Sequence, residues 1–207
     1  MDREYHPLPL HELGEGAGFR RPTQERAARV TRESRALEVM TDLARATPAT
    51  IRPQAPLDAA NRFMITRGVR LLLVVDDHES VLGVFTATDY LGERPMRAAT
   101  ERGLRRDELT VADVMTPADR VEVIALEDVE GARVGHVVET LRRAGRQHAL
   151  VVDYDLIPAG RPLAPPLKRT MVRGVFSISQ IARQLGVALP AGGEIALTFS
   201  EIEAAIR

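Results

Sequence analysis

Two stretches of this sequence place a hydroxyl side chain directly after an apolar strand and a polar side chain three residues later. In the first stretch, Gly83–Asp89, the pair Val84-Phe85 precedes Thr86, and Asp89 ends the pattern. A hydroxyl at a strand-to-helix junction can cap the helix, whose free N–H groups and dipole favour an anion such as phosphate. A carboxylate one turn later can accept hydrogen bonds from a diol such as that of ribose. Taken alone, the pattern also fits an ordinary capped helix.

A second copy of the pattern favours a binding site over a simple helix cap. The stretch Gly174–Gln180 repeats the apolar strand, the hydroxyl of Ser177 and a polar residue, Gln180, three positions later. Other segments repeat in the same order, and an internal repeat determines the architecture of a chain. The matching segments are Val39–Thr41 with Val114–Thr116 and Leu73–Asp76 with Leu150–Asp153. The chain is therefore predicted to contain a pair of related units.

Each unit is predicted to have the order strand, helix, strand, strand, helix. In the second unit, apolar residues recur at helical spacing from Val134 to Ala144, and Gly145 ends the helix. Three less regular segments are also assigned from their patterns: a strand at Val121–Ile124, a polar loop at Glu127–Arg133, and a first-unit helix from Thr88 to about Gly103 that is broken near Pro95.

The chain divides into four predicted segments. Residues 1–33 form a polar N-terminal arm, and residues 34–108 form the first repeat with a linker helix. Residues 109–186 form the second repeat, which contains a proline-rich insertion at 154–173 where the first repeat has a short hairpin. Residues 187–207 are predicted to form a tail with a short strand at Ile195–Leu197 and a short helix capped by Ser200 and Glu203.

Composition argues against several classes of function. The formal net charge is -1 and aromatic residues make up 4% of the chain, so the sequence predicts no nucleic-acid partner. There is no cysteine, and the five histidines are scattered without the spacing of metal ligands, so no metal site is predicted. The sequence has no signal-peptide pattern and no apolar run of about 20 residues. These features predict a cytoplasmic protein with no membrane partner.

The spaced motifs together resemble a tandem pair of cystathionine β-synthase (CBS) domains, the Bateman module, of the stand-alone bacterial type. The resemblance rests on the Val-Met-Thr lead-ins, the strands ending in Val-Val-Asp and the two junctions described above, and it covers about residues 34–186. It implies an α/β (α+β) fold in which two β-α-β-β-α repeats pack pseudo-symmetrically through their sheets. It also implies a homodimer and two clefts that can hold AMP, ADP, ATP or S-adenosylmethionine.

In the first cleft, the resemblance assigns the hydroxyl contact to Thr86 and the ribose contact to Asp89. It places Thr50 and Ile51 beside the base, and Arg70 toward the phosphate. Asp89→Ala is accordingly expected to weaken nucleotide binding by more than about 1 kcal/mol.

The second cleft departs from the pattern of the family. Ser177 keeps the hydroxyl, but Gln180 replaces the aspartate, and a neutral amide forms weaker hydrogen bonds than a carboxylate. The repeat also brings His148 near a cleft. This second cleft is expected to be empty, weaker, or specialised by the insertion.

The sequence therefore predicts a regulatory sensor that binds an adenine nucleotide and changes shape, possessing no catalytic residues and requiring no cofactor. An unidentified protein target would receive the signal. The alternative is a CBS pair that has lost its ligand and serves as a dimerisation scaffold, which the replacement by Gln180 favours and the intact Thr86/Asp89 pair opposes.

Overall fold

Two four-stranded sheets carry the architecture of the protein. The structure is a computed structural model that describes residues 30–157 and 167–187 together with residues 199, 201 and 202. The predicted arm before residue 30 lies outside the described residues, as do the Ile195–Leu197 strand and the Ser200/Glu203 cap. The strands are β1 Thr41–Asp42, β2 Thr50–Ile51, β3 Leu71–Val75, β4 Val81–Thr86, β5 Thr116–Pro117, β6 Val123–Ala125, β7 His148–Ile157 and β8 Leu167–Ser177. The helices are α1 Leu57–Arg67, α2 Ala87–Leu91, α3 Arg94–Arg102, α4 Val111–Val114, α5 Leu126–Glu130, α6 Val134–Ala144 and α7 Ile178–Leu185.

The duplicated order of elements is confirmed. The first unit runs β2-α1-β3-β4-α2 and the second runs β6-α6-β7-β8-α7. In each unit the first pair of strands is parallel and the second pair is antiparallel. The helices α1 and α6 both end at a glycine, Gly68 or Gly145, whose positive φ suits a residue without a Cβ atom.

The lead-in segments are exchanged between the units. Strand β1, which precedes the first unit in the chain, pairs with β8 of the second unit, and β5 pairs with β4 of the first. The backbone confirms the same crossing upstream, since Ala36 N donates to Ala132 O at 3.0 Å and Val111 N donates to Ala55 O at 2.9 Å. Each sheet is therefore completed by chain from the other side of the molecule.

Three apolar clusters fill the interior. The first unit packs α1 against its sheet around Leu57, Leu72 and Phe85, and the second unit packs α6 and α7 around Phe176 and Ile181. A third cluster lies between the two sheets and brings together Leu73, Val75, Val84 and Leu150. This cluster confirms that the repeats pack through their sheets.

Several predicted boundaries differ from the structure. The helix predicted over Thr88–Gly103 is two helices, because Gly92 takes an extended conformation and ends α2 before Pro95 enters the first turn of α3. The loop predicted at Glu127–Arg133 contains α5, which exposes its acidic residues and is anchored by the buried Val129.

Two predicted segments of the second unit, a strand and the insertion, also differ from the structure. The strand predicted at Val121–Ile124 begins at Val123, because Val121 caps a 3-10 turn. The predicted insertion at 154–173 is largely a continuation of the β7–β8 hairpin, paired out to Ile157 and Leu167. Within this hairpin, the Lys168 amine lies 5.4 Å from the centre of the Tyr154 ring. The proline-rich centre of the insertion, 158–166, is outside the described residues.

No helix in the described part of the chain is long and apolar enough to cross a membrane. Over the same residues, no group of three or more histidine, aspartate or glutamate side chains is arranged to hold a metal ion.

Candidate functional site

A cavity of about 420 Å³ opens at the junction of the two units, beside the N-terminus of α7. We call it the second cleft, because it contains the Ser177 and Gln180 pair of the second repeat. The first unit contributes the residues before β2 and the turn from α1 to β3, and the second unit contributes the ends of β7 and β8. The described lining residues with polar side chains are Thr41, Thr47, Arg67, Arg70, His148, Ser177, Ser179, Gln180 and Arg183.

The polar groups at the base of the second cleft are only partly used within the protein. Thr41 Oγ1 donates a hydrogen bond to Gln180 Oε1 at 2.9 Å, which orients the amide. The Ser177 side chain forms no capping hydrogen bond, although Ser177 is the residue before the first turn of α7. The Ser177 hydroxyl and the Gln180 amino group are thus placed to bond a ligand at the positive end of the helix.

The second cleft is positively charged. Arg67, Arg70 and Arg183 line it, and no aspartate or glutamate is found among its described lining residues. Burial and, to a smaller extent, the charge of the adjacent Arg70 together lower the pKa of His148 to about 4. His148 is therefore neutral at pH 7 and offers hydrogen bonds rather than charge, so the arginines supply the positive field.

At the corresponding junction of the first repeat, which we call the first cleft, Thr86 and Asp89 are joined by internal hydrogen bonds. Asp89 Oδ2 accepts from Thr86 N at 2.9 Å and from Thr86 Oγ1 at 2.7 Å. Asp89 N donates to Thr86 Oγ1 at 3.2 Å, so Thr86 caps the helix. The remaining oxygen, Oδ1, lies 2.7 Å from Nη1 of Arg94. Both carboxylate oxygens of the buried Asp89 therefore have protein partners.

The structure groups the predicted residues differently from the sequence. Four of them, Arg70, His148, Ser177 and Gln180, line the second cleft together. Thr86 and Asp89 lie at the corresponding junction of the first repeat. Thr50 and Ile51 form β2, whose Thr50 is exposed and whose Ile51 packs against the core of the first unit. Arg70, assigned to the first cleft by the resemblance, belongs to the second.

Five further polar residues of the second cleft were not predicted: Thr41, Thr47, Arg67, Ser179 and Arg183. Thr41 ends the Val-Met-Thr lead-in, so its motif was visible, but its partner across the cleft was not. Arg183 follows Gln180 by three residues on α7, a helical spacing that could have indicated it. Arg67 precedes the glycine that ends α1, and no sequence pattern distinguishes it from other surface arginines.

Comparisons with known proteins agree with this fold. Residues 37–95 match the family model of the CBS domain. An uncharacterized conserved protein from Pyrococcus horikoshii is 19% identical, with a TM-score of 0.50 over 78% of this chain and 99% of that chain. The CBS domain pair of protein MJ0100, solved with 5′-methylthioadenosine and S-adenosyl-L-methionine, is 19% identical, with a TM-score of 0.47 over 74% of this chain and 96% of that one. A putative acetoin utilization protein from Vibrio cholerae is 18% identical, with a TM-score of 0.47 over 82% and 95%. No curated protein matches the sequence.

At these identities the likeness to solved structures concerns the fold. Residues 37–95 match the CBS-domain model, and the described chain contains two units with the same order of elements. The resemblance seen in the sequence motifs is thereby confirmed.

Proposed function

We propose that this protein is a regulatory module that binds an adenine nucleotide in the second cleft. The observation that carries the proposal is the convergence of Ser177, Gln180 and Arg70 on one cavity, beside a helix N-terminus. A hydroxyl and an amide suit the hydroxyl groups of a ribose, and an arginine suits a phosphate. The cavity volume of about 420 Å³ is within the range of small-molecule sites.

The charge of the cleft favours a phosphate-bearing ligand. The described lining offers Arg67, Arg70 and Arg183 without a carboxylate. A sulfonium compound such as S-adenosylmethionine would bring a further positive charge into this field, whereas AMP, ADP and ATP bring negative charge. We therefore rank the nucleotides above S-adenosylmethionine as ligands.

Regulation follows from the position of the cleft between the units. A ligand that contacts both units stabilises the arrangement in which those contacts are made, and it shifts the population toward that arrangement. A protein target or a second copy of the chain would sense the shift. The exposed Ile65, Leu91 and Met96 lie on helices α1, α2 and α3 and provide apolar surface for such a contact. No catalytic role is proposed for the cleft.

Calorimetric titration with AMP, ADP, ATP and S-adenosylmethionine tests the proposal. Saturable binding of a nucleotide is expected, and Arg70→Ala should weaken it roughly 10- to 100-fold, the value of a hydrogen bond to a charged group. The matched control is Arg62→Ala, which removes the same charge from the exposed part of α1, outside the cleft. Equal losses in both variants, or no binding by the wild type, would contradict the proposal.

The second candidate function is the ligand-free dimerisation scaffold. The internal bonding of Asp89 favours it, since the one junction that keeps the aspartate of the family is already occupied by the Arg94 side chain. If no adenosine compound binds either cleft and the chain forms a stable dimer, the scaffold becomes the better description.

A further inference from the structure

The two junctions can be compared position by position, because the repeat relates them. Thr86 corresponds to Ser177, and Asp89 corresponds to Gln180, each three residues after its hydroxyl. The threonines that end the two lead-ins, Thr41 and Thr116, correspond in the same way, since each belongs to the strand that joins the sheet of the other unit. Both junctions therefore place a hydroxyl, a second polar residue and a lead-in threonine at corresponding positions, with the carboxylate of Asp89 where the other has the amide of Gln180.

These groups are connected differently in the two clefts. In the second cleft, Thr41 Oγ1 bonds Gln180 directly. In the first cleft, Arg94 lies between the equivalent residues: its Nη1 is 2.7 Å from Asp89 Oδ1 and 2.8 Å from Thr116 Oγ1. The same nitrogen lies 3.4 Å from the carbonyl oxygen of Val114. A guanidinium thus takes the polar contacts that a ligand in this cleft would need.

The sequence of the other repeat supports the pairing of Asp89 with Arg94. The position equivalent to Arg94 is Leu185, which packs against the core of the second unit. One repeat has an acid and a base at these two positions, and the other has an amide and an apolar residue. The second repeat, whose cleft is open, lacks both the acid and the arginine. This is expected if the role of Arg94 is to pair with Asp89.

We propose that Arg94 is an internal occupant of the first cleft, and that it restricts this protein to one nucleotide per chain. Its side chain is 53% exposed and begins a helix after the extended Gly92, so it can leave the cleft without disturbing the core. The Arg94 side chain determines which cleft binds, because it takes the place beside Asp89 Oδ1 that a ribose hydroxyl would occupy, while Oδ2 is held by Thr86. The nature of the ligand rests on the function proposed above.

Stoichiometry of AMP binding tests the role of Arg94. The wild type is expected to bind one AMP per chain. Arg94→Leu, which installs the residue of the other repeat, is expected to strengthen binding at the first cleft roughly 10- to 100-fold and to give two sites. Adding Asp89→Ala to this variant should return it to one site. The control is Arg97→Leu, an exposed arginine one turn further along α3, which should leave one site.

The outcomes separate this inference from the function proposed for the second cleft. Two sites in the wild type, or no additional site in Arg94→Leu relative to the wild type, would overturn it. The Arg183→Glu background blocks the second cleft, and in that background Arg94→Leu should still bind one AMP while the wild-type first cleft binds none. If the wild type binds no AMP and Arg94→Leu binds one, the second cleft is not the site but Arg94 still closes the first. Arg94→Gln, which keeps a neutral donor, provides a second variant and should give an intermediate affinity.

Discussion

His148 couples the stability of the protein to pH, because its half-buried side chain lies next to an arginine and is neutral at pH 7. Its pKa in the folded state is about 4, lowered chiefly by burial and also by Arg70, against an ordinary value of 6.5. The unfolded state therefore binds more protons between these values, and the free energy of unfolding rises with pH across this window. The contribution of His148 is complete above pH 6.5 and is lost as the pH falls toward 4.

Urea unfolding of the wild type and of His148→Leu over pH 4 to 7 measures this effect. The leucine is the residue at the equivalent position of the other repeat, Leu71. The wild type should lose up to about 3 kcal/mol more than the variant between pH 6.5 and 4. His78→Gln, at an exposed turn, controls for general acid effects. Parallel pH profiles for wild type and His148→Leu would exclude the burial of a neutral histidine.

The hydrogen-bond partners of Asp89 could not be predicted from the sequence. Its spacing from the Thr86 hydroxyl was visible in the sequence, but the predicted ribose role assumed that the carboxylate faces a ligand. The structure gives it the bonds of a helix cap and an ion pair with Arg94, a partner five residues away that no motif contains. Asp89→Ala should therefore destabilise the fold.

We expect Asp89→Ala to lower the free energy of unfolding by roughly 1 to 2 kcal/mol, the cost of losing a helix cap with its charged partner. We expect the affinity of the second cleft for AMP to stay unchanged. Asp77→Ala, which removes an exposed carboxylate, is the control for stability. A large loss of affinity with unchanged stability would restore the ribose role that the sequence predicted.

Among the elements, the exchanged strands β1 and β5 pass close to a glycine in the strand that each pairs with, Gly174 in β8 and Gly83 in β4. A Cβ atom at Gly83 would overlap the backbone carbonyl oxygen of Thr116 in β5. At Gly174, the equivalent position in β8, it would instead meet the side chain of Met40. Backbone held in a sheet cannot move aside, whereas a methionine side chain can take another rotamer.

The paired substitutions Gly83→Ala and Gly174→Ala should therefore differ in cost. Overpacking at Gly83 should cost about 1 to 3 kcal/mol and separate β5 from β4, and Gly174→Ala should cost less than about 1 kcal/mol. Equilibrium unfolding of both variants gives the comparison. Equal costs would mean that the methionine is held as firmly as the strand.

The elements that the sequence predicted best are those with a long periodic pattern. Helix α6 begins and ends where its apolar spacing and Gly145 indicated, and the repeat itself was visible in several motifs. Helix α5 was missed because it is short and only Val129 is fully buried; apart from the partly buried Leu126, its other residues are exposed acids. The position of Arg70 was missed for a different reason. The cavity that contains Ser177 and Gln180 is lined by residues of both units, so Arg70 of the first unit lies in the cleft named for the second.

In the whole molecule, the exchange makes each unit dependent on the other. The residues before β1 contribute Ala36 and Val39 to the core of the second unit, and the residues before β5 contribute Leu109 and Val111 to the core of the first. Neither core is complete without chain from the other side. A third cluster between the sheets joins them further. The two repeats should therefore unfold in one transition rather than two.

Reporters in each unit can test this coupling, because the chain has no tryptophan. Tyr90→Trp reports on the first unit and Tyr154→Trp on the second, and their urea transitions should coincide with each other and with the loss of circular dichroism. Leu72→Ala in the first core and Ile181→Ala in the second should each lower the free energy of unfolding by about 2 to 5 kcal/mol. Each should shift the urea midpoint by the same amount with either reporter. A midpoint that moves for only one reporter would show that the units fold independently. Ligand binding between the units could then not change the structure of a distant surface, because the two units would not move as one body.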